Sequence, residues 1–123
     1  MLDASALLAV LHDETGKEQV IQQMSNAAIC SVNYAEVVTK LANSGMPKEI
    51  IQASLHFFPI DIVNFDIEMA ILAGEMIKET RSLGLSLGDR ACLAAGKILN
   101  LPILTADKVW LKVELDIDIY CIR

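Results

Sequence analysis

Short apolar runs alternate with longer helical patterns along this chain, and this alternation constrains the fold more than any other feature. The strand-like runs cover residues 27–32 (AAICSV), 60–63 (IDIV), 101–104 (LPIL) and 117–122 (IDIYCI), with residues 1–2 as the end of a fifth. The helical patterns cover residues 5–11, 17–24, 34–43, 48–57, 67–82, 89–100 and 108–113. Strands apolar enough to be buried on both faces, alternating with helices, predict a mostly parallel sheet covered by helices. The predicted fold class is therefore α/β.

The helical pattern of residues 67–82 predicts which face of that segment is buried. A stripe of apolar residues lies opposite a charged face, which is typical of a helix docked on a sheet. The stripe consists of Ile67, Ile71, Leu72, Ala73 and Met76. We expect these five side chains to pack against the rest of the protein.

The aromatic residues and the histidines have structural interpretations that are simpler than functional ones. Core packing is favoured over base stacking for the aromatic side chains of Phe57, Phe58, Phe65 and Trp110. His12 and His56 belong to no carboxylate or cysteine motif, so surface or packing roles are favoured over a general-base role.

The size and charge of the chain narrow the classes of function. A length of 123 residues fits one domain over residues 1–123, and a hydrophobic content of 54% indicates a buried core. The net charge of −6 argues against gripping nucleic acid through bulk positive charge, but it is compatible with a nucleic-acid enzyme whose carboxylates hold metal ions. No apolar run approaches the roughly 20 residues of a membrane span. Three cysteines without CxxC spacing indicate buried residues in a reducing compartment, so a cytoplasmic location is expected.

Four acidic residues stand where strands give way to helices. They are Asp3 after residues 1–2, Glu36 after residues 27–32, Asp89 after the loop at residues 83–88, and Asp107 after residues 101–104. Ligand sites of parallel α/β sheets lie beyond the carboxyl ends of the strands. We therefore expect three of these carboxylates to converge on one rim of the sheet.

Each carboxylate also has an interpretation as a helix cap, and the two interpretations stay open here. Asp3 and Asp107 suit N-caps, while NYAE at residues 33–36 and SLGD at residues 86–89 have the spacing of a capping box. A carboxylate at a helix start contributes about 0.3–1 kcal/mol. Two carboxylates about 4 Å apart repel by about 4 kcal/mol at an effective dielectric of about 20. A converged set therefore needs bound protons or a divalent cation.

The ligand types indicate which cation and which chemistry. Oxygen ligands without His or Cys suit Mg²⁺ or Mn²⁺. Such a cation orients and activates water, and it stabilises the charge that develops on a phosphate and its leaving oxygen. Phosphodiester hydrolysis is the reaction that these residues predict.

At these residues the sequence resembles the PIN-domain family, and within it the VapC-type toxin ribonucleases of prokaryotic toxin–antitoxin pairs. The similarity covers nearly the whole chain. Its motifs are LDASALLAVL at residues 2–11, SVNYAEVV at 31–38, LSLGDRACLAAG at 85–96 and LPILTAD at 101–107. The resemblance implies a three-layer α/β/α fold around a central, mostly parallel sheet, with an acidic pocket that binds Mg²⁺ or Mn²⁺. It further implies endonucleolytic cleavage of RNA, silencing by a cognate antitoxin, a homodimer, and an exposed apolar patch in the helical region before Pro59.

The resemblance assigns roles to individual residues. Asp3, Glu36, Asp89 and Asp107 match the acidic quartet of the family. Asp3 and Asp89 are expected to contact the metal, while Glu36 and Asp107 complete its shell or orient the attacking water. Family members usually have several strand residues before the first Asp, whereas only Met1 and Leu2 precede it here, so either the native start lies upstream or the first strand is unusually short. In the second case the central strand has fewer ladder hydrogen bonds and holds Asp3 less firmly.

Four further residues are candidate supporting groups. Ser5 and Thr105 match hydroxyls near the quartet and would donate hydrogen bonds to carboxylates or metal-bound water; local capping and turn bonding are the alternative. Arg90 and Lys108 directly follow two of the acidic residues. They would contact RNA phosphates or balance the charge of the acidic rim.

Two other functions are compatible with the same residues. One is a PIN-type nuclease of RNA maturation or decay that has no antitoxin. The other is a non-catalytic α/β regulatory domain whose acidic pocket holds Mg²⁺. A receiver-like domain of that second kind would have an acidic pair at its first strand end, where this sequence has only Asp3.

Overall fold

The computed structural model describes residues 1–123, and it alternates helices with short strands as predicted. The helices are α1 (Ala4–Leu11), α2 (Lys17–Gln23), α3 (Ser31–Asn43), α4 (Lys48–His56), α5 (Ile67–Glu75), α6 (Ile77–Thr80) and α7 (Leu87–Leu99). The strands are β1 (Ala28–Cys30), β2 (Asp61–Val63), β3 (Ile103–Thr105) and β4 (Ile119–Cys121). Short 3-10 helices occupy Met24–Asn26, Arg81–Leu83 and Lys108–Lys112.

Leu2 joins two pairs of strands into one parallel sheet. β1 pairs with β2, and β3 pairs with β4, both in parallel. Leu2 forms parallel bridges to Ile29 on one side and to Leu104 on the other. The order across the sheet is therefore β2, β1, residues 1–2, β3 and β4. The predicted parallel sheet is confirmed, and residues 1–2 are its central strand.

Helices cover both faces of this sheet and form a separate hydrophobic core on each. Side chains on alternate positions of a strand point to opposite faces. In β1, Ile29 joins the core formed with α1, α3 and α4, whereas Ala28 and Cys30 join the core formed with α5 and α7. The predicted three-layer α/β/α architecture is confirmed, and Cys30 is buried as expected.

The segment 67–82 differs from its prediction in two ways. It is broken into α5, α6 and a 3-10 turn, and the predicted stripe is wrong in part. Met69, Ala73 and Met76 are buried, while the side chains of Ile67 and Ile71 are 77% and 58% exposed. Apolar residues cover a wide arc of α5, and periodicity alone does not say which edge of that arc meets α7.

The aromatic residues divide between the core and the surface. Trp110 is buried, and Phe58 and Phe65 pack partly buried against the two cores, as predicted. The core prediction for Phe57 is wrong, because its ring is 83% exposed beyond the end of α4. Ile50 of α4 is also exposed, whereas Ile51 and Leu55 of the same helix are buried.

The histidines and the lengths of the helices complete the description of the fold. His12 and His56 are both exposed, in agreement with a surface role. No helix has the length and apolar character to cross a membrane.

Candidate active site

Asp3 lies at the carboxyl end of the central strand and caps α1. Its Oδ1 accepts a hydrogen bond of 2.9 Å from the backbone N–H of Ala6. The Ser5 hydroxyl lies 2.8 Å from both carboxylate oxygens, and the Thr105 hydroxyl donates to Oδ2 at 2.8 Å. The side chain is buried, with 5% of its residue surface exposed. Capping and burial therefore occur together at Asp3, so the cap alone does not account for its position.

Burial gives the Asp3 carboxyl an unusual proton affinity. Desolvation raises its pKa from 3.8 to about 6, and the nearby charge of Asp89 adds to the rise. Hydrogen bonds from Ala6, Ser5 and Thr105 act in the opposite direction. A carboxylate held this way near neutral pH takes up either a proton or a cation with little cost.

Asp89 lies in the first turn of α7, close enough to Asp3 for their charges to interact. Ser86 and Asp89 form the predicted capping box: the Ser86 hydroxyl accepts from the Asp89 N–H at 3.1 Å, and Asp89 Oδ2 accepts from the Ser86 N–H at 2.8 Å. This reciprocal pair holds the Asp89 side chain at the amino end of α7. α7 starts at Leu87, two residues before the predicted start at Asp89.

Glu36 approaches the same place from α3, and the capping-box interpretation of NYAE is wrong. α3 starts at Ser31 after Cys30, so Asn33 lies inside the helix and cannot cap it. Instead, Asn33 Nδ2 donates to Glu36 Oε2 and to the carbonyl of Gly88, both at 2.9 Å. The apolar run 27–32 does not reveal that α3 begins at Ser31. The end of a buried strand and the first turn of a packed helix have a similar apolar composition, so the run by itself predicts only the strand. The spacing of Asn33 and Glu36 was the available signal, although the interhelical contact with Gly88 could not be seen in it.

Asp107 is connected to Asp3 through the hydroxyl of Thr105. The Asp107 N–H donates to Thr105 Oγ1 at 3.1 Å, and Asp107 Oδ1 accepts from the Val109 N–H at 2.9 Å. Ser5 takes part as well, since its hydroxyl accepts from the Ala106 N–H at 2.8 Å. Asp107 is exposed and caps the 3-10 helix Lys108–Lys112, where the sequence predicted a helix over 108–113. Ser5 and Thr105 therefore connect the loops after residues 1–2 and β3 beneath the Asp3 carboxylate.

The two basic candidates differ in their freedom to reach a ligand. Arg90 Nη1 donates to the carbonyl of Ala73 in α5 at 3.1 Å, and its Nε is buried without a partner. Lys108 is exposed beside Asp107. Arg90 is thus anchored to the neighbouring helix, while the ammonium group of Lys108 can move at the rim.

The chemistry of these residues fits a hard divalent cation. All four acidic side chains offer oxygen, and a cation beside Asp3 would offset the desolvation that raises its pKa. No three of the His, Cys, Asp and Glu side chains are close enough, as they stand, to share one ion. Mg²⁺ usually takes one or two protein carboxylates and keeps several waters, so Asp3, already held by its donors, and Asp89 would suffice as direct ligands.

One cavity of the protein lies away from these carboxylates. It has a volume of about 420 Å³ and lies at the amino ends of the strands, lined by Met1, Gln19, Asn26, Pro102 and Tyr120 among others. It contains no acidic residue. The candidate carboxylates lie at the opposite end of the strands, where the charges of Asp3 and Asp89 interact.

Comparison with known proteins agrees with this fold. A profile of the PIN domain matches residues 1–115, so the chain belongs to the PIN-domain family. No curated protein sequence matches.

Among solved structures, those similar to this chain include three toxin–antitoxin complexes. DNA-bound VapBC from Salmonella typhimurium has a TM-score of 0.78 at 17% identity over 100% of this chain and 97% of that chain. VapBC2 from Rickettsia felis, bound to a promoter DNA fragment, has a TM-score of 0.75 at 18% identity over 98% and 96%. A toxin–antitoxin complex from Klebsiella pneumoniae has a TM-score of 0.75 at 15% identity over 99% and 96%. At these identities the similarity establishes a common fold.

Proposed function

We propose that this protein is a Mg²⁺- or Mn²⁺-dependent endoribonuclease that serves as the toxin of a type II toxin–antitoxin pair. The observation that carries the proposal is the buried Asp3 carboxylate, which is held by three donors and lies within the electrostatic influence of Asp89. A charged carboxylate that is buried beside a second one is costly unless it binds a cation or a proton, and a bound cation is the form that serves hydrolysis. Membership of the PIN-domain family supports a nuclease.

The proposed roles follow from the contacts of each residue. Asp3 and Asp89 would hold the cation, and Glu36 and Asp107 would complete its shell or orient the attacking water. Ser5 and Thr105 hold the Asp3 carboxylate in one orientation by donating hydrogen bonds to its oxygens. When bound, the cation supplies charge that stabilises the phosphate and leaving oxygen during hydrolysis.

The toxin role is supported by the similar structures and by the surface of α4. Those structures are described as VapBC or toxin–antitoxin complexes. In this chain Ile50 and Phe57 are exposed on α4 and at its end, which suits cover by an antitoxin or by a second copy in a homodimer. Coexpression with the product of an adjacent small gene, followed by copurification and loss of RNA cleavage, would separate a toxin from an RNA-maturation nuclease.

The first experiment is cleavage of a mixed pool of structured RNA with Mg²⁺ or Mn²⁺ against EDTA. Asp89→Asn is the informative variant, because its amide oxygen can still accept from the Ser86 N–H while the charge is lost. Asp66→Asn is the control, since Asp66 is also a carboxylate at the start of a helix, where it accepts from the Met69 N–H as the N-cap of α5 outside the site. Metal-dependent cleavage that is lost in Asp89→Asn and kept in Asp66→Asn is expected. Equal cleavage by both variants would point to a contaminating nuclease.

A protein with a net charge of −6 needs local positive charge to bind RNA. We propose that Arg90 and Lys108 supply it beside the carboxylates. In an Asp89→Asn background, which prevents turnover, replacing both residues by Ala should weaken RNA binding and reduce its dependence on salt. Lys48→Ala with Arg81→Ala is the control, as both side chains are exposed outside the site. Unchanged RNA affinity in the first double variant would remove this part of the proposal.

A further inference from the structure

We propose that Asn33 is a positioning residue that holds Glu36 against the first turn of α7, and that Gly88 lacks a side chain because that carboxylate occupies the space. The inference rests on the proposed function, since it gives Glu36 a place beside Asp89. Asn33 and Gly88 would then control how well the site binds its cation without touching that cation.

The Asn33 amide connects two elements that are far apart in the sequence. Its Nδ2 donates to Glu36 Oε2 one turn along α3 and to the carbonyl of Gly88 in α7, both at 2.9 Å. Both partners are acceptors only, so the amide nitrogen must face them. Asn33 is 1% exposed, which restricts the amide to this orientation.

Gly88 contributes a second and independent observation. Its backbone is outside the left-handed region, so the conformation does not call for glycine. A Cβ at this position would lie 2.8 Å from Glu36 Oε2 and 2.9 Å from Glu36 Cδ, which is closer than carbon and oxygen atoms approach without displacement. The carboxylate of Glu36 thus lies directly on the α7 backbone, one residue before Asp89.

The Asn33 amide also leaves one of its own atoms unpaired. Oδ1 is buried and has no hydrogen-bond partner. An unpaired buried acceptor lowers stability, and a packing role alone would be served by an apolar side chain of similar size. The donation to Glu36 and Gly88 is the interaction that only the amide provides here.

This clamp gives Glu36 a fixed position that its own side chain does not supply. Glu has three rotatable side-chain bonds, and an unrestrained carboxylate at the half-buried rim would turn to solvent. Held by Asn33 on one side and by the backbone of Gly88 on the other, Glu36 stays beside the turn that carries Asp89. Both neighbours are needed, because removing the donor releases the carboxylate and adding a Cβ pushes it away.

The test uses two variants that disturb Glu36 from opposite sides. Asn33→Leu removes the donor, and Gly88→Ala introduces the Cβ. The control is Gly74→Ala on α5, where an added Cβ meets nothing within 4 Å. Alanine favours helix over glycine, so a purely structural view predicts that Gly88→Ala and Gly74→Ala both leave the site intact or stabilise the protein.

The primary readout is the Mn²⁺ concentration at half-maximal rise in melting temperature, measured beside RNA cleavage. Asn33→Leu and Gly88→Ala should each raise this concentration by roughly tenfold or more, in the range typical of residues that orient metal ligands. Gly74→Ala should leave it unchanged. In a Glu36→Gln background the two substitutions should raise the Mn²⁺ midpoint little further, since an amide has already replaced the carboxylate that they position. Independent structural effects would instead add in full.

The outcomes separate this inference from the proposed function. If the wild-type protein cleaves RNA with metal, and both variants keep its Mn²⁺ midpoint, the positioning role is overturned while the nuclease stands. If the wild-type protein neither cleaves RNA nor responds to metal, both are overturned. Should Asn33→Leu fail to fold, Gly88→Ala carries the test alone, because a wild-type midpoint in that variant contradicts the proposal.

Discussion

Asp3 is the residue at which capping, burial and charge meet. Its carboxylate accepts from Ala6, Ser5 and Thr105, as an N-cap and its neighbours would provide. Those bonds do not offset its desolvation, because its pKa still rises to about 6. Capping does not require burial, because Asp66 caps α5 while it is exposed to solvent. Burial therefore distinguishes Asp3 from a surface cap and supports its proposed place in the site.

The raised pKa of Asp3 predicts how stability depends on pH without metal. Between pH 3.8 and about 6 the folded protein keeps the Asp3 proton that the unfolded chain has released. Stability from this group is thus full below the unfolded pKa and is lost as the pH rises through the folded one. Two pKa units correspond to about 3 kcal/mol.

Asp3→Asn removes this titration and should flatten the decline over that interval. The measurement is urea unfolding in EDTA at several pH values from 4 to about 7.5, with Asp66→Asn as the control for loss of a carboxylate outside the site. Parallel slopes for wild type and Asp3→Asn would contradict the prediction. Excess Mg²⁺ at neutral pH should restore stability to the wild type and not to Asp3→Asn, by mass action on the folded state.

Among the elements, α7 carries Gly88 and Asp89 in its first turn. The capping box of Ser86 and Asp89 determines where this helix begins. The sequence SLGD predicted this capping box correctly. Its spacing was enough for the prediction because both hydrogen bonds join residues three positions apart. The apparent box at Asn33 and Glu36 had the same kind of spacing but lies within a helix, since tertiary packing extends α3 back to Ser31.

Ser86→Ala tests the part that the α7 cap plays in the site. Loss of the hydroxyl should cost about 1 kcal/mol of stability and should loosen the first turn around Asp89. Asp66→Ala at the cap of α5 should cost a similar amount, because its side chain accepts from the Met69 N–H in the same way.

The two cap variants should differ in their response to metal. Ser86→Ala is expected to raise the Mn²⁺ concentration needed for thermal stabilisation, whereas Asp66→Ala should leave it near the wild-type value. Thermal melts over a Mn²⁺ series measure both effects. Equal Mn²⁺ responses in the two variants would show that the α7 cap does not position the site.

On the scale of the whole molecule, a contact between the loop before α2 and the C-terminal segment limits which side chain fits at Gly16. Gly16 precedes α2 at φ +93°, and a Cβ there would lie 2.2 Å from the carbonyl oxygen of Ile122. Gly45 has nearly the same φ, +91°, with no atom within 4 Å of its Cβ position. The two glycines have similar backbones and different surroundings, so they form a matched pair.

Gly16→Ala should destabilise the protein by more than Gly45→Ala. Both substitutions carry the cost of a left-handed backbone, about 1 kcal/mol. Only Gly16→Ala also forces α2 away from Ile122, which adds roughly 1–3 kcal/mol as in other overpacked sites. Urea denaturation of both variants measures the difference, and equal losses would mean that the contact relaxes freely.

The sequence by itself determined the class of fold and the identity of the acidic residues. Alternating strand and helix patterns depend on local periodicity, so they predicted the parallel sheet, the helical layers and residues 1–2 as part of a strand. The carboxylates Asp3, Asp89 and Asp107 follow from the same local reading, since each stands next to a strand end or a cap.

Only the tertiary structure decided which of these residues are buried and which contact one another. The burial of Asp3, the exposure of Ile67 and Phe57, and the contact of Asn33 with Gly88 all depend on atoms that are distant in the chain. Periodicity describes one element at a time, whereas burial and desolvation depend on which elements pack together. The spacing of Asn33 and Glu36 could thus be read from the sequence, while the reason for Gly88 became visible only when α3 met α7.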